Sequence, residues 1–217
     1  MFTTSFRDAI LGTMDGSTLT SWTGYCGLIK TSGITDFRAG TVTEADYTGY
    51  GTRPSISFGA VADTSPAGGR QVANDVAVTF PQNTGSSQDV AAYGIWTAAT
   101  AGTLKMIGFL DSDPPIFGTG LTSDLITSPA HGLQTDQRVY VLAAPGAIKP
   151  TGLSENTAYY VLAAGLTSDV FSLSTSSGGS AVDITVAGAS LFMPYKAVTI
   201  AASATPEFAI GALVVQV

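Results

Sequence analysis

The sequence predicts an all-β protein: an antiparallel β-sandwich of jelly-roll type, with one short N-terminal helix and a small inserted β module. Three observations predict it. Short apolar runs recur along most of the 217 residues, cut by Gly, Pro, Asn and Asp, the pattern of strands and turns. No strand–helix–strand alternation occurs, which excludes doubly wound and parallel-barrel folds. Hydrophobic residues make up 45% of the chain and charged residues 12%. A sizeable core is therefore available, and the polar surface must come from Thr, Ser, Gly, Asn and Gln.

The elements follow in order. Residues 3–11, "TTSFRDAIL", form the one expected helix. Phe6, Ile10 and Leu11 fall at helical spacing, Thr3 or Thr4 caps the start, and Gly12 and Gly16 end it. Strands follow at "YCGLIK" (25–30), "RPSISFG" (53–59), "DVAVTF" (75–80), "AAYGIWTA" (91–98) and "TLKMIGFL" (103–110). In the third of these, Val76, Val78 and Phe80 should share one face, with Asp75, Ala77 and Thr79 opposite.

"DSDPPIFGTG" (111–120) breaks this rhythm and reads as a crossing between modules. A second strand series follows: "DLITSP", "RVYVLA", "AYYVLAA", "DVFSLST" and "AVDITVAG". "LFMPY" (191–195) brings another proline, after which "KAVTIAA" and "PEFAIGALVVQV" return to the earlier style. The organisation predicted is a domain within a domain. Residues 1–113 and 194–217 form the host sandwich, and residues 114–193 form the insert, bounded by prolines as insertions at loop tips are. Removing the insert should bring "IGFLDSDPP" and "KAVTIAA" together as a hairpin. Inside the insert, "GLTSDLI" (120–126) recurs as "GLTSDVF" (165–171). Two copies are too few for a solenoid, and the repeat reads as a turn that starts a strand.

Nine basic residues against sixteen acidic ones give a net charge of −7. The basic residues are scattered singly, with no stripe for nucleic acid and no cluster for an anionic membrane. The N-terminus lacks the basic start and apolar core of a secretory signal. The longest apolar stretch, near "FAIGALVVQV", is far short of the ~20 residues that span a bilayer. Cys26 is alone, so it forms no internal disulfide. Between Tyr25 and Gly27-Leu28-Ile29 it reads as a small buried hydrophobe.

His131, the only histidine, is the first candidate for chemistry. A zinc site needs three or four ligands, and a Ser-His-Asp triad needs a nucleophile and an acid beside the imidazole. Neither pattern surrounds His131. It lies between Pro129 and Gly132, so it reads as a turn residue whose ring bonds loop backbone. Asp111 and Asp113 could pair as glycosidase carboxylates or as part of a calcium loop. Beside Pro114-Pro115 and without later ligands, they read as an exposed acidic turn. Glu44 and Asp46 lie in a Gly/Thr-rich segment and read likewise. Tyr47, Tyr50, Tyr159 and Tyr160 could supply a contact surface, but in strands one of two adjacent aromatics points to the core by alternation, and core packing is the reading adopted. "SPAGGR" and "TSSGGS" lack the lysine and the helix of a phosphate loop. No catalytic, cofactor-binding or metal-binding residue is predicted.

The host segments resemble a family of small bacteriophage virion proteins of the tail-fibre-like or decoration type. The motifs occur in order. "LGTMDG" ends the helix, and "YCGLIKTS" resembles a Tyr-x-Gly-Leu strand. "YTGYGTRPSISFG" resembles a Gly-Tyr…Arg-x-x-x-x-Phe-Gly segment, and "VANDVAVTFPQNTG" an Asn-x-x-x-Val-x-Phe-Pro block. "YGIWTAATAGTL" resembles a Gly-Ile-Phe-Asp strand pair, with Trp96 and Thr97 where Phe and Asp are usual. "FAIGALVVQV" is similar to a closing Gly-x-Leu strand. The insert resembles a module of phage tail and fibre proteins that carries a His-Gly-Leu turn, here His131-Gly132-Leu133. That module usually has Gly-Asp before its first strand, where this chain has Asp136-Gln137.

The resemblance implies a non-enzymatic phage structural protein, made in the bacterial cytoplasm and located in the virion. It would be an accessory subunit on the particle surface, either a capsid decoration or a short tail or fibre component. The host sandwich would dock on capsid or tail subunits and the insert would be displayed. Two alternatives are a module that binds host-surface glycan or receptor and, with least support, a polysaccharide-degrading enzyme. In the final segment Ile210, Leu213, Val214 and Val215 fall on both faces. The strand must then be central or covered by a partner, which predicts a homo-oligomer, a trimer among the options, or tight docking.

Overall fold

A computed structural model describes residues 3, 6–8, 23–36, 39–64 and 69–216. It is antiparallel β throughout, apart from a helical stretch at residues 6–8. The rest of the helix expected over 3–11, except Thr3, lies outside the described residues. The chain divides into two compact units: Met1–Gly33, Arg38–Gly108 and Val198–Val217 in one, Ile34–Phe37 and Phe109–Ala197 in the other. Strands are numbered along the chain.

The first unit is built on a six-stranded sheet of β1 (Gly24–Asp36), β2 (Thr41–Glu44), β3 (Ser55–Ile56), β7 (Gln88–Trp96), β8 (Leu104–Phe109) and β16 (Val198–Ile200). Beside it are a three-stranded sheet of β4 (Ala62–Thr64), β5 (Gly69–Ala73) and β18 (Val214–Gln216), and the pair β6 (Val78–Thr79) and β17 (Glu207–Phe208). β7 is the spine. From Val90 to Trp96 only Tyr93 is not fully buried, as the near-continuous apolar run requires of a strand covered on both faces. β1 takes one edge of β7, running from Tyr25 opposite Trp96 to Lys30 opposite Val90. β8 also pairs β7, and β16 pairs its first residues, Val198 opposite Val90 and Ile200 opposite Gln88. β8 and β16 therefore both lie along β7.

In the second unit β9 (Ile116–Gly120), β10 (Ile126–Thr127), β11 (Arg138–Ala143), β12 (Ala158–Val161), β13 (Val170–Phe171), β14 (Leu173–Ser174) and β15 (Gly188–Tyr195) form one sheet, in the order β13-β10-β9-β15-β11-β12-β14. The two terminal strands are separated only by Ser172. The sheet therefore closes into a small barrel, which removes its free edges. Ile126, Val139, Val141, Phe171, Leu173 and Phe192 fill the interior. The two ends of the unit run side by side. Asp113 N–H bonds the Pro194 carbonyl at 3.0 Å and Lys196 N–H bonds the Asp111 carbonyl at 2.9 Å. The "GLTSD" repeat starts two strands that pair with each other, Ile126 opposite Phe171. Exchanging β9, β10 and β11 for β12, β13–β14 and β15 reproduces the strand order, so the unit has a two-fold topology.

Five expectations are corrected. Ile116–Gly120 is a strand, not a crossing. "AVDITVAG" is irregular except for a bridge at Val186 and the first residue of β15, and Pro194 lies inside β15. Val76 is 58% exposed while Val78 and Phe80 are buried, because Asp75 and Val76 form a bend and the alternation starts after it. β18 is an edge strand paired to β5 alone among the described residues, not a central one, and Ile210 and Val214 are exposed.

Candidate functional site

Glu44 contradicts its reading as part of an exposed acidic turn. It ends β2 and is held by a buried arginine that the sequence analysis passed over. Arg53 Nε and Nη2 reach the two Glu44 oxygens at 2.9 and 2.5 Å, a bidentate pair. Arg53 Nη1 donates to the carbonyls of Ala98 and Ala101 at 2.8 and 2.6 Å, fixing the turn between β7 and β8. The Tyr50 hydroxyl donates to Glu44 Oε1 and accepts the Leu28 N–H. The guanidinium lies 4.2 Å over the Trp96 ring. That ring lies against the paired glycines Gly27 and Gly94, where a Cβ would come within 2.7 and 2.5 Å of the indole. The Tyr-x-Gly-Leu and Gly-Ile-Trp motifs and the arginine segment thus meet in one cluster, and each group in it locks a turn or a strand.

His131 is also buried, and its position explains its chemistry. Nδ1 accepts the Leu133 N–H at 2.9 Å, closing the turn on itself, with Gly132 at φ +68° between them. The ring meets Phe171 edge to face at 5.0 Å. With Nδ1 as acceptor, the neutral ring carries its proton on Nε2, which is buried without a hydrogen-bond partner. His131→Ala should cost about 1–3 kcal/mol, because the Leu133 N–H is left unpaired in a buried turn. Urea denaturation reads this. EDTA and zinc should leave the melting temperature unchanged, and a zinc-dependent rise of several degrees would show a metal role instead.

Asp111 and Asp113 are exposed. Asp46 is also exposed and bonds Lys30 and Gln88, which hold its carboxyl below the usual range. Tyr47 and Tyr159 are buried, and their hydroxyls bond the Pro81 carbonyl and the Ser154 N–H. Tyr160 lies half-buried under the Arg138 guanidinium. Of "SPAGGR" only Gly69-Arg70 is described, as the start of β5; "TSSGGS" is a turn after β14. No group of three or more His, Cys, Asp or Glu among the described residues could hold a metal. One shallow, open cavity of about 430 Å³ lies beside the His131 turn, lined by Asp113, Gln134, Thr135, Asp136, Gln137 and Lys196.

Burial shifts several acids upward. The Cys26 thiol is raised by desolvation and by the nearby Glu44 charge. The Tyr50 and Tyr93 phenols are raised mainly by desolvation, and Tyr195 is pushed up to about 12 by the same cause. A group whose folded pKa is raised contributes stability that is full below its unfolded pKa and is lost as pH rises toward the folded value. Stability should therefore hold to about pH 9 and fall steeply above about pH 10, near the ordinary thiol and phenol values. A urea midpoint unchanged from pH 8 to pH 11 would contradict this.

Antiparallel sheets, one of them closed, whose buried polar clusters tie turns to strands, define a protein of the β-sandwich and small-barrel class. The chain belongs to the podophage GP4 fiber I protein gp80 family, whose model matches residues 2–134. It is therefore a phage fibre-type structural protein of the virion that associates with other virion components. No curated protein matches the chain. The family match takes in Gly27, Glu44, Tyr50, Arg53, Gly94 and Trp96 and ends one residue after His131-Gly132-Leu133. Among the described residues, no helix is long and apolar enough to cross a membrane.

Proposed function

We propose that this fibre protein is an accessory subunit that docks on the particle through its first unit and displays the second as an insert. The observation that carries this reading is where the chain leaves and returns. It leaves the first unit at the end of β8 and re-enters at β16, both on β7, while residues 111–113 and 194–196 pair side by side. Apart from the short excursion of Ile34–Phe37, the second unit is joined through one paired stem, and such an insert can be removed without unpairing β7 from β1. Replacing residues 110–197 by a short Gly linker should leave a soluble domain that unfolds cooperatively. A molten or aggregated product would count against the insert. Docking and self-association are tested on the full chain by light scattering and by binding to purified capsids and tails. A stable monomer that binds neither would overturn the accessory-subunit reading.

A second reading, recognition of a host-surface glycan, is favoured by the cavity beside the His131 turn. Its carboxylates, carboxamides and ammonium group are the groups that hydrogen-bond sugar hydroxyls. Saccharide binding by the full chain that is lost in Asp113→Ala and Lys196→Ala would support it.

A further inference from the structure

The His131 ring fits its turn in one charge state only. A backbone N–H can only donate, so the 2.9 Å bond from the Leu133 N–H makes Nδ1 an acceptor. The other nitrogen, Nε2, is closed off from solvent and meets no acceptor. The residue is 8% exposed, and its ring lies against Phe171. The neutral imidazole leaves one N–H unanswered there. The imidazolium carries an N–H on both nitrogens. One would face the Leu133 N–H, donor against donor, and neither would meet an acceptor while the turn stays closed. An unpaired charge in such a place is costly.

The turn holds more than itself. The Ala130 N–H bonds Asp169 Oδ1 at 2.8 Å, and the His131 N–H bonds the Ser168 carbonyl at 3.2 Å. Ser168 and Asp169 lead into β13, whose Phe171 meets the imidazole and pairs Ile126 of β10. The turn thus pins the segment through which the barrel closes. The charged groups around it are Asp169, Asp136 on its own loop, held by the Ser177 hydroxyl, and Asp113 and Lys196 of the stem, which line the cavity with Gly132. None of them bonds either ring nitrogen.

We propose that the His131 turn is a pH-sensitive latch, in which protonation of the ring expels it from the turn and unpins the segment that leads into β13. Histidine is the side chain whose ordinary charge change falls between pH 5 and 8. Opening lets the ring take a proton that the closed turn refuses. Acid therefore favours the open form, and the closed form is restored as pH rises. The same turn forms one wall of the cavity, so opening reshapes it.

The test compares the full-length wild type with His131→Asn at pH 7.5 and pH 5.0. An asparagine side-chain oxygen accepts an N–H two residues on but takes up no proton, so the variant keeps the turn and loses the switch. In the wild type the Leu133 amide should be protected from hydrogen exchange at pH 7.5. It should lose about tenfold or more of that protection at pH 5.0, after correction for intrinsic exchange. The wild-type melting temperature should fall by about 4 °C or more beyond the fall in His131→Asn. Carboxylates are common to both proteins and cancel in the comparison. Equal protection of the wild-type Leu133 amide at both pH values would overturn the latch without recourse to the variant. An equal loss of protection in His131→Asn would overturn it as well.

Discussion

Arg53→Ala is expected to destabilise the protein by about 3–5 kcal/mol, the cost of removing one partner from a buried ion pair. The substitution does more than delete a charge. It leaves the Glu44 carboxylate, whose side chain is only 24% exposed, facing the Tyr50 hydroxyl alone. It also frees the carbonyls of Ala98 and Ala101, so the turn that carries β7 into β8 loses its anchor. Trp96 loses the group that covers its outer face. Arg53→Lys should recover little, because an ammonium cannot make the bidentate bond and both carbonyl bonds at once. Equilibrium urea unfolding of both variants measures this. A loss below about 1 kcal/mol in Arg53→Ala would mean that the pair behaves as an ordinary surface salt bridge.

This cluster also shows what could be read from the sequence and what could not. Strands with a buried face announced themselves by short apolar runs between turn residues, as in "RVYVLA" and "AYYVLAA". β7 did so by an almost unbroken apolar run. Glu44 did not, because its partner lies nine residues on and no periodicity links the two. The available signal was a single arginine inside the apolar "TRPSISF". β9 was missed because "IFGTG" carries two glycines, which usually weaken a strand. Here they make room: a Cβ on Gly118 would meet Ile126 and Phe192, and one on Gly120 would meet Pro150. The opposite error occurred at "AVDITVAG". Val182 and Ile184 pack on the barrel core and Val186 is exposed, which produces a strand-like pattern in a segment that covers the core without joining the ladder. His131 was legible as a turn residue from its neighbours. Its contact with Phe171 depends on a pairing forty residues away and was not.

Phe192→Ala is the second large effect expected, about 3–5 kcal/mol. Phe192 is fully buried in the barrel and meets Phe171 edge to face at 5.4 Å, a contact that adds to its area burial. Gly118 leaves the space that the ring fills, so truncation opens a cavity that no neighbouring side chain on β9 can close. The barrel closes through the single run from β13 to β14, and that run carries Phe171. Loss of Phe192 should therefore loosen the closure as well as the interior. The proposed modular reading makes a sharper demand. Calorimetry of Phe192→Ala should show the transition of the second unit falling by about 12–40 °C, while a transition assigned to the first unit stays in place. The 110–197 deletion, which lacks the barrel, supplies that assignment. Arg53→Ala should shift the other transition. If both variants lower one common transition by similar amounts, the two units unfold as one cooperative body, and the second is not an insert that folds independently.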